Sequence, residues 1–347
     1  RFAATSRRTA SLIVNTSKPP TDASLMDRAI SNAQRVRGTT APNPWVGAVI
    51  LSSDGEAYDG ATEPVGGPHA ERVAIDLAGS KARGATLFTT LEPCCHEGRT
   101  PPCVSHIIES GVSRVVVGIT DPDAHVSGGG VSALRDAGIE VVEGVRKKQI
   151  EDQLEPYVHQ RTTGKPWVVL KMALTMDGRT AAPDGSSEWI TSDEARSDVH
   201  ALRARCDAVL VGAGTIRSDD PSLTTRFVSG SDAQRIVLGK APADARVHPC
   251  WELEGDLEEL MFELGGRGVV DLLVEGGAHV AASLHEKGLI NEYVFYIAPA
   301  LMGGEEGRPV FVGPGSATMA DLWRGDLRDV RKVGSDLRVE FRPIEGD

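Results

Sequence analysis

The chain is poor in aromatic residues, poor in cysteine and short of positive charge, and each deficit removes a class of function. Phe, Trp and Tyr make up 5% of the 347 residues, too few for the stacking platforms that hold single-stranded nucleic acid. Lys and Arg number 37 against 49 Asp and Glu, a net charge of -12, which argues against a protein that wraps a polyanion. A small phosphorylated substrate stays open, since it needs only a few local cations. No apolar run approaches the roughly 18 residues of a membrane span. The five cysteines, Cys94, Cys95, Cys103, Cys206 and Cys250, are odd in number and widely scattered. They fit no disulfide framework and favour a reducing, cytoplasmic compartment. No internal repeat relates the two halves.

Acid is missing locally as well. Residues 1–21 carry Arg1, Arg7, Arg8 and Lys18, with no carboxylate before Asp22. This basic tail reads as a disordered extension, the alternative being an organellar transit peptide. It lacks the apolar core of a secretory signal.

The most informative residues that are present are His69-Ala70-Glu71, followed by Pro93-Cys94 and Cys103. One imidazole and two thiolates make a three-ligand set for zinc and leave the fourth tetrahedral position to water. Glu71, two residues after the histidine and not needed as a ligand, can move that water's proton. This is the arrangement of zinc deaminases that hydrolyse amino groups from nucleobases. A closed structural zinc usually has a fourth protein ligand and gives a free Glu no task, so the catalytic reading is preferred. Cys95 competes with Cys94, but Cys94 is the one that follows the proline.

The length fits two domains, each able to bury its own core. A helical pattern over 25–36 stops at Gly38. Strands are expected over 46–51, 86–90, 114–118 and 140–143. Helices should open near His69, cover 103–110 and run through Leu134 to Gly138. Alternating strands and helices imply an α/β layered domain with a largely parallel sheet. The predicted divisions are a tail at 1–21, a first domain at 22–145, a linker at 146–166 and a second domain at 167–345. The linker reads as a charged connection containing Pro156. Beyond it, strands are expected from Trp167, over 208–211, 235–238, 270–274 and 293–297, with helices over 193–205, 256–264 and 278–287. A closing hairpin should turn at Gly334-Ser335.

In this second α/β domain Gly212-Ala213-Gly214 and Gly276-Gly277 sit at strand ends. The latter pair precedes a helix, where backbone N–H groups can cradle a phosphate. Glycine at such a turn is as often a packing necessity. Lys171, Asp177, Arg203, Asp219, Arg226 and Glu275 cluster at strand ends or in adjoining segments, and composition alone does not separate a site from a solvated surface.

Both halves resemble one family, the bifunctional deaminase–reductases of riboflavin biosynthesis. The first half carries Pro42-Asn43-Pro44-x-Val46-Gly47-Ala48 and Gly67-Pro68-His69-Ala70-Glu71. It continues with Leu91-Glu92-Pro93-Cys94-Cys95-His96-Glu97-Gly98-Arg99-Thr100-Pro101-Pro102-Cys103. The second carries Leu170-Lys171-x-Ala173-x-Thr175-x-Asp177-Gly178-Arg179, Asp219-Asp220-Pro221-x-Leu223-Thr224 and Val274-Glu275-Gly276-Gly277. The resemblance implies a cytidine-deaminase-like α/β/α layered domain followed by a dihydrofolate-reductase-like α/β domain, with Zn2+ and NADPH as cofactors. It implies deamination of 2,5-diamino-6-(5-phosphoribosylamino)pyrimidin-4(3H)-one, then reduction of the ribosyl group to ribityl. An alternative keeps the deaminase and impairs the reductase.

By motif position, Glu71 would be catalytic, His69, Cys94 and Cys103 would bind the metal, and Asn43 would contact the base. Ser187, Arg203, Leu223, Arg226 and Glu275 would hold the reductase substrate, the arginines suiting phosphate. Ala173, Trp189, Thr215, Asp219 and the turn Gly277, Ala278, His279, Val280, Ala281, Ala282 and Ser283 would hold NADPH. Lys171 and Asp177 would be polar groups near the sugar. The partner is a small phosphorylated pyrimidine riboside, without nucleic acid or membrane, in a homo-oligomer. Departures from the family pattern are Asp121-Pro122-Asp123-Ala124 in place of Asp-Pro-Asn-Pro, Thr62 in place of His, a short stretch over 226–275, and Val237-Leu238-Gly239-Lys240 in place of Val-Leu-Asp-Ser.

Overall fold

The computed structural model describes residues 19–95, 101–123 and 127–344. Most of the basic tail (1–18), residues 96–100 of the cysteine motif, Ala124, and residue 345 at the end of the predicted second domain lie outside these residues. The chain divides into two compact units, between Val158 and His159.

In the first unit Thr21 caps helix α1 (Asp22–Gln34) through a reciprocal capping box with Ser24. The helix buries Leu25, Met26, Ala29, Ile30 and Ala33, the expected stripe. The sheet comprises β1 (Gly47–Leu51), β2 (Ala57–Ala61), β3 (Thr86–Leu91), β4 (Arg114–Ile119) and β5 (Glu140–Glu143). Its order is β2-β1-β3-β4-β5. Helices α2 (Ala70–Ala78), α3 (Cys103–Ser110) and α4 (Gly129–Asp136) pack with it.

The expected largely parallel sheet is corrected here. β1 runs antiparallel to both β2 and β3, and only β3, β4 and β5 run parallel. Strand β2 has no counterpart in the sequence reading. Its residues Ala-Tyr-Asp-Gly-Ala bury only Gly60, so no hydrophobic alternation announces it.

The expected linker is also different: it is helical, α5 (Lys147–Thr163), with Pro156 inside it. Proline there removes one backbone donor. Ile150, Leu154 and Tyr157 are buried, and their spacing of four and three residues makes the stripe that holds the helix. The division between the two units falls within α5.

The second unit is built on an eight-stranded sheet of order β10-β9-β8-β11-β6-β12-β15-β14. Its strands are β6 (Trp167–Thr175), β8 (Ala208–Gly212), β9 (Gln234–Leu238), β10 (Trp251–Leu253), β11 (Asp271–Val274), β12 (Glu292–Ala298), β14 (Gly325–Val333) and β15 (Asp336–Pro343). The six from β10 to β12 run parallel. β15 and β14 add an antiparallel edge. Strand β8 is buried throughout and β11 likewise, as expected for parallel strands covered on both faces. Helices α6 (Asp193–Arg205), α7 (Ala213–Asp219), α8 (Leu257–Gly266) and α9 (Ala278–Glu286) connect them. A short pair, β7 (Arg179–Ala181) with β13 (Arg308–Pro309), stands apart from the main sheet. The closing hairpin turns at Gly334-Ser335, with Val333 paired to Asp336.

The short stretch over 226–275 still supplies β9, β10, α8 and β11.

Candidate active sites

The metal ligands converge because two helices begin at the same place. His69 is the N-cap of α2 and Glu71 lies in that helix's first turn. Cys103 opens α3. Cys94 lies in the loop after β3, where its sulfur accepts the Cys103 backbone N–H at 3.3 Å. The close seat of α2 depends on Gly60, since a Cβ there would lie 2.1 Å from the Ala70 carbonyl oxygen. Nδ1 of His69 lies 3.6 Å from Sγ of Cys94 and 3.3 Å from Sγ of Cys103. The three donor atoms all fall within 4.8 Å of one another.

Tetrahedral zinc at ordinary bond lengths sets nitrogen and sulfur ligands about 3.6 Å apart, so this set fits zinc. Among the described residues the group consists of His69, Cys94 and Cys103, and three such protein ligands are the number a catalytic zinc takes. The two thiols split: Cys94 is drawn down to about 4 by the hydrogen bond from Cys103, and Cys103 is pushed up.

Glu71 is 4% exposed, and its Oε2 is 3.7 Å from Cys103 Sγ. Burial pushes its carboxyl up to about 7. A cavity of about 240 Å³ reaches two of the three ligands, His69 and Cys103, but not Cys94 or Glu71, and is walled otherwise by Pro68, Arg72, Pro101, Pro102, Ser105, His106 and Glu109. Asn43 is not in that lining; it sits before β1 in a turn closed by Thr40, whose hydroxyl donates to the Asn43 carbonyl at 2.9 Å. Thr62 is buried and hydrogen-bonded to the Val46 backbone, so it braces the start of β1.

Glu92, next to Pro93 and Cys94 in the motif, has a structural task. Its carboxylate accepts the backbone N–H groups of Asp121, Gly128 and Val131 at 3.2, 2.9 and 3.0 Å. It thereby ties the ligand loop after β3 to the segment beyond β4. Asp123 lies there, its N–H donated to the buried Asp121 carboxylate at 2.9 Å.

The second unit holds two adjoining cavities, of about 500 and 550 Å³. The first is lined by Ser187, Arg203, Leu223, Arg226 and Glu275, all five of the expected substrate residues. The second is lined by Ala173, Thr215, Asp219, Gly277, Ala278, His279 and Val280. Lys171, Ala173, Thr215, Asp219 and Glu275 belong to both.

Three expectations are revised. Trp189 lines only the first cavity, where the Arg196 guanidinium sits 4.4 Å from its ring centre. Ala281 and Ala282 are buried in the body of α9 and Ser283 is exposed, and none of the three is in either lining. Asp177 is outside both linings too. Its carboxylate accepts from the Thr175 hydroxyl and from the N–H groups of Met302 and Gly303, which makes it a loop anchor.

Glu275 is the electrostatic centre of the first cavity. Burial pushes its carboxyl up, but Arg203 and Lys171 beside it outweigh that and hold it at about 2. Lys171 Nζ lies 3.4 Å from Oε2. His200 and Arg246 also line this cavity and were missed. Burial, with Arg203 and Arg226 nearby, pulls the His200 imidazole down to about 4, so it is neutral at pH 7, and its Nδ1 accepts the Arg226 N–H at 3.2 Å. A lone histidine on a helix carries no sequence signal for this.

The second cavity suits a dinucleotide. Gly277 precedes α9, and a Cβ there would stand 3.4 Å from the Thr215 hydroxyl, so the bare backbone leaves room for a phosphate.

The fold and the two sites define a class: a zinc deaminase domain joined to an NADPH-dependent reductase domain. Residues 19–119 match the cytidine and deoxycytidylate deaminase zinc-binding region, and residues 166–339 match the RibD C-terminal domain. The riboflavin biosynthesis protein RibD of Mycobacterium tuberculosis (strain H37Rv) is 43% identical over 329 residues, covering 91% of this chain and 96% of that protein. The Escherichia coli (strain K12) RibD is 37% identical over 357 residues, covering 90% and 96%. Among solved structures, Acinetobacter baumannii RibD superposes with a TM-score of 0.88 at 35% identity, covering 93% of this chain and 99% of that one. The chain belongs to the RibD family, the bifunctional deaminase–reductases of riboflavin biosynthesis.

Proposed function

We propose that both activities of the family are competent in this chain and act in turn on 2,5-diamino-6-(5-phosphoribosylamino)pyrimidin-4(3H)-one. The zinc domain corresponds to 22–145 and the reductase to 167–345. What favours two competent activities over a lone deaminase is that the short 226–275 stretch still supplies β9, β10, α8 and β11, and that the first cavity is lined by all five expected substrate residues.

In the deaminase, zinc supplies when bound the Lewis acidity that makes water nucleophilic near neutral pH. His69, Cys94 and Cys103 hold it. Glu71 takes a proton from the attacking water, delivers it to the ring nitrogen, and later protonates the departing amine. Asn43 orients the base. The C–N bond to the exocyclic amine breaks, a carbonyl replaces it and ammonia leaves.

In the reductase, NADPH supplies the hydride. Arg203 and Arg226 hold the substrate's phosphate end, with Ser187 and Leu223 around the sugar. Trp189, expected at the cofactor, lines the first cavity, which supports a role in covering the substrate. Lys171 lies where the two cavities meet and donates to Glu275 Oε2 at 3.4 Å, whereas Glu275 is held ionised. Lys171 is accordingly the group that gives a proton to O4′ as the C1′–O4′ bond breaks and hydride reaches C1′.

Mass spectrometry of zinc-loaded protein with this substrate tests the reading. Deamination adds about one dalton, and reduction adds about two more only when NADPH is present. A product that stops at the first step with NADPH present refutes the reductase half.

A further inference from the structure

We infer that Arg217 reads the 2′-phosphate of NADPH and so sets this chain's preference for NADPH over NADH. The inference rests on the cofactor assignment above and concerns a residue that neither the motif nor its glycines single out.

The residues shared by the two cavities fix one end of the cofactor. Lys171 and Ala173 lie on β6, Glu275 follows β11, Ser187 and Ile190 precede α6, and Thr215 and Asp219 share the face of α7 opposite Arg217. Hydride donor and acceptor must meet where the cavities meet, so the reacting ring belongs at β6 and β11. The remainder of a dinucleotide then runs through the lining that belongs to the second cavity alone. That lining includes the Gly276-Gly277 turn and, farther out, Leu238, Arg217 and Ser218.

Sheet order gives the direction. From β6 the strands run β11, β8, β9, and three spacings of about 4.8 Å place β9 roughly 14 Å from the reacting end. Leu238 is the last residue of β9. Arg217 stands on α7 four residues after Ala213, on the same helix face. That face is turned to the end of β9, because a Cβ on Gly239 would lie 3.1 Å from the Ala213 Cβ. Arg217 is therefore on the adenosine side.

The competing cations are placed or engaged otherwise. Arg308 also lines this cavity, but it sits on β13, paired with the β7 segment that follows β6, near the reacting end. Lys240 follows β9 and is paired with Glu252 at 3.3 Å. Arg217 has no hydrogen-bond or ion-pair partner in its side chain among the described residues. Of the neighbouring carboxylates, Asp219 lines the shared region and Asp220 accepts the Arg246 N–H at 2.8 Å. An unengaged guanidinium, in a chain of net charge -12, is the donor fork that a phosphate dianion takes in two parallel hydrogen bonds. The 2′-phosphate is the one chemical difference between NADPH and NADH.

The test is binding, measured by fluorescence and calorimetric titration of the full chain with NADPH, NADH, adenosine 2′,5′-bisphosphate and AMP. Wild-type protein should prefer each 2′-phosphorylated ligand. R217L should weaken NADPH and the bisphosphate by about tenfold or more, while NADH and AMP change by less than about twofold, and R217K should fall between. Circular dichroism checks that this exposed substitution leaves the fold intact. NADPH binding unchanged in R217L, or equal losses for NADPH and NADH, overturns the assignment and leaves the cofactor reading standing. A larger selective loss in K240L than in R217L transfers the role to Lys240 and also overturns it. Wild-type protein that binds neither dinucleotide overturns this inference and the cofactor reading together.

Discussion

Arg203 grips Glu275 with two parallel hydrogen bonds, Nε to Oε1 at 2.5 Å and Nη2 to Oε2 at 3.0 Å, and both side chains are nearly buried at the wall of the reductase substrate cavity. Lys171 approaches the same carboxylate from the strand that also faces the cofactor cavity. One anion thus fixes the Arg203 guanidinium and the Lys171 amino group at the same point of the cavity wall. Two positive groups forced together without it would repel each other in a poorly solvated space.

Glu275→Gln should therefore lower reductase kcat by about a hundredfold or more while leaving deamination at the wild-type rate. The glutamine keeps the shape and removes the charge, so loss of the fold is not the expected result. Steady-state rates of the two steps, each followed with its own substrate, check this. Equal losses in both steps would mean global damage instead.

Glu71→Gln should reduce deamination by roughly a hundredfold to ten-thousandfold, the usual range for removing a general acid–base. Zinc content should stay at one equivalent, since Glu71 is not in the ligand group. Metal analysis beside the rate assay separates these outcomes. Full activity in the glutamine variant would mean that a different group moves the proton.

Gly60→Ala should weaken the metal site from a distance. The added methyl would meet the Ala70 carbonyl oxygen, a backbone atom that cannot swing aside. α2 would have to lift from β2, carrying His69 and Glu71 away from Cys94 and Cys103. Overpacking of this kind costs about 1–3 kcal/mol. The expected readouts are a lower unfolding midpoint and faster loss of zinc to a chelator.

The metal set was legible in the sequence because its spacing encodes the chemistry directly. Three donors and a free carboxylate form a pattern that survives without coordinates, whereas the glycines at strand ends left a phosphate cradle and a packing necessity equally open. What escaped had weak local signals. β2 buries a single glycine, and α5 presents only Ile150, Leu154 and Tyr157 among many charges, so it read as a connection. Asp177 looked like a site residue because it is polar and beside a strand end. Only the N–H groups of Met302 and Gly303, far along the chain, show that its carboxylate is spent on a loop. Arg217 was invisible for the opposite reason: its meaning depends on strand order, and no local pattern carries that.

Glu275 also ties stability to pH. Its folded value, about 2, lies below the ordinary 4.5, so the unfolded chain binds its proton first as acid is added. The sign follows: this carboxylate contributes its full stabilisation above about pH 4.5, and the contribution is lost as pH falls toward 2. The shift of about 2.5 pH units corresponds to about 3.4 kcal/mol at most, at 1.36 kcal/mol per unit. Glu275→Gln has no such proton to bind, so its stability should fall less steeply between pH 5 and pH 3 than that of the wild type. Urea unfolding at a series of pH values, compared between the two proteins, reads the difference in slope directly. Parallel curves would show that Glu275 keeps an ordinary affinity for its proton, and that Arg203 and Lys171 do not hold it ionised.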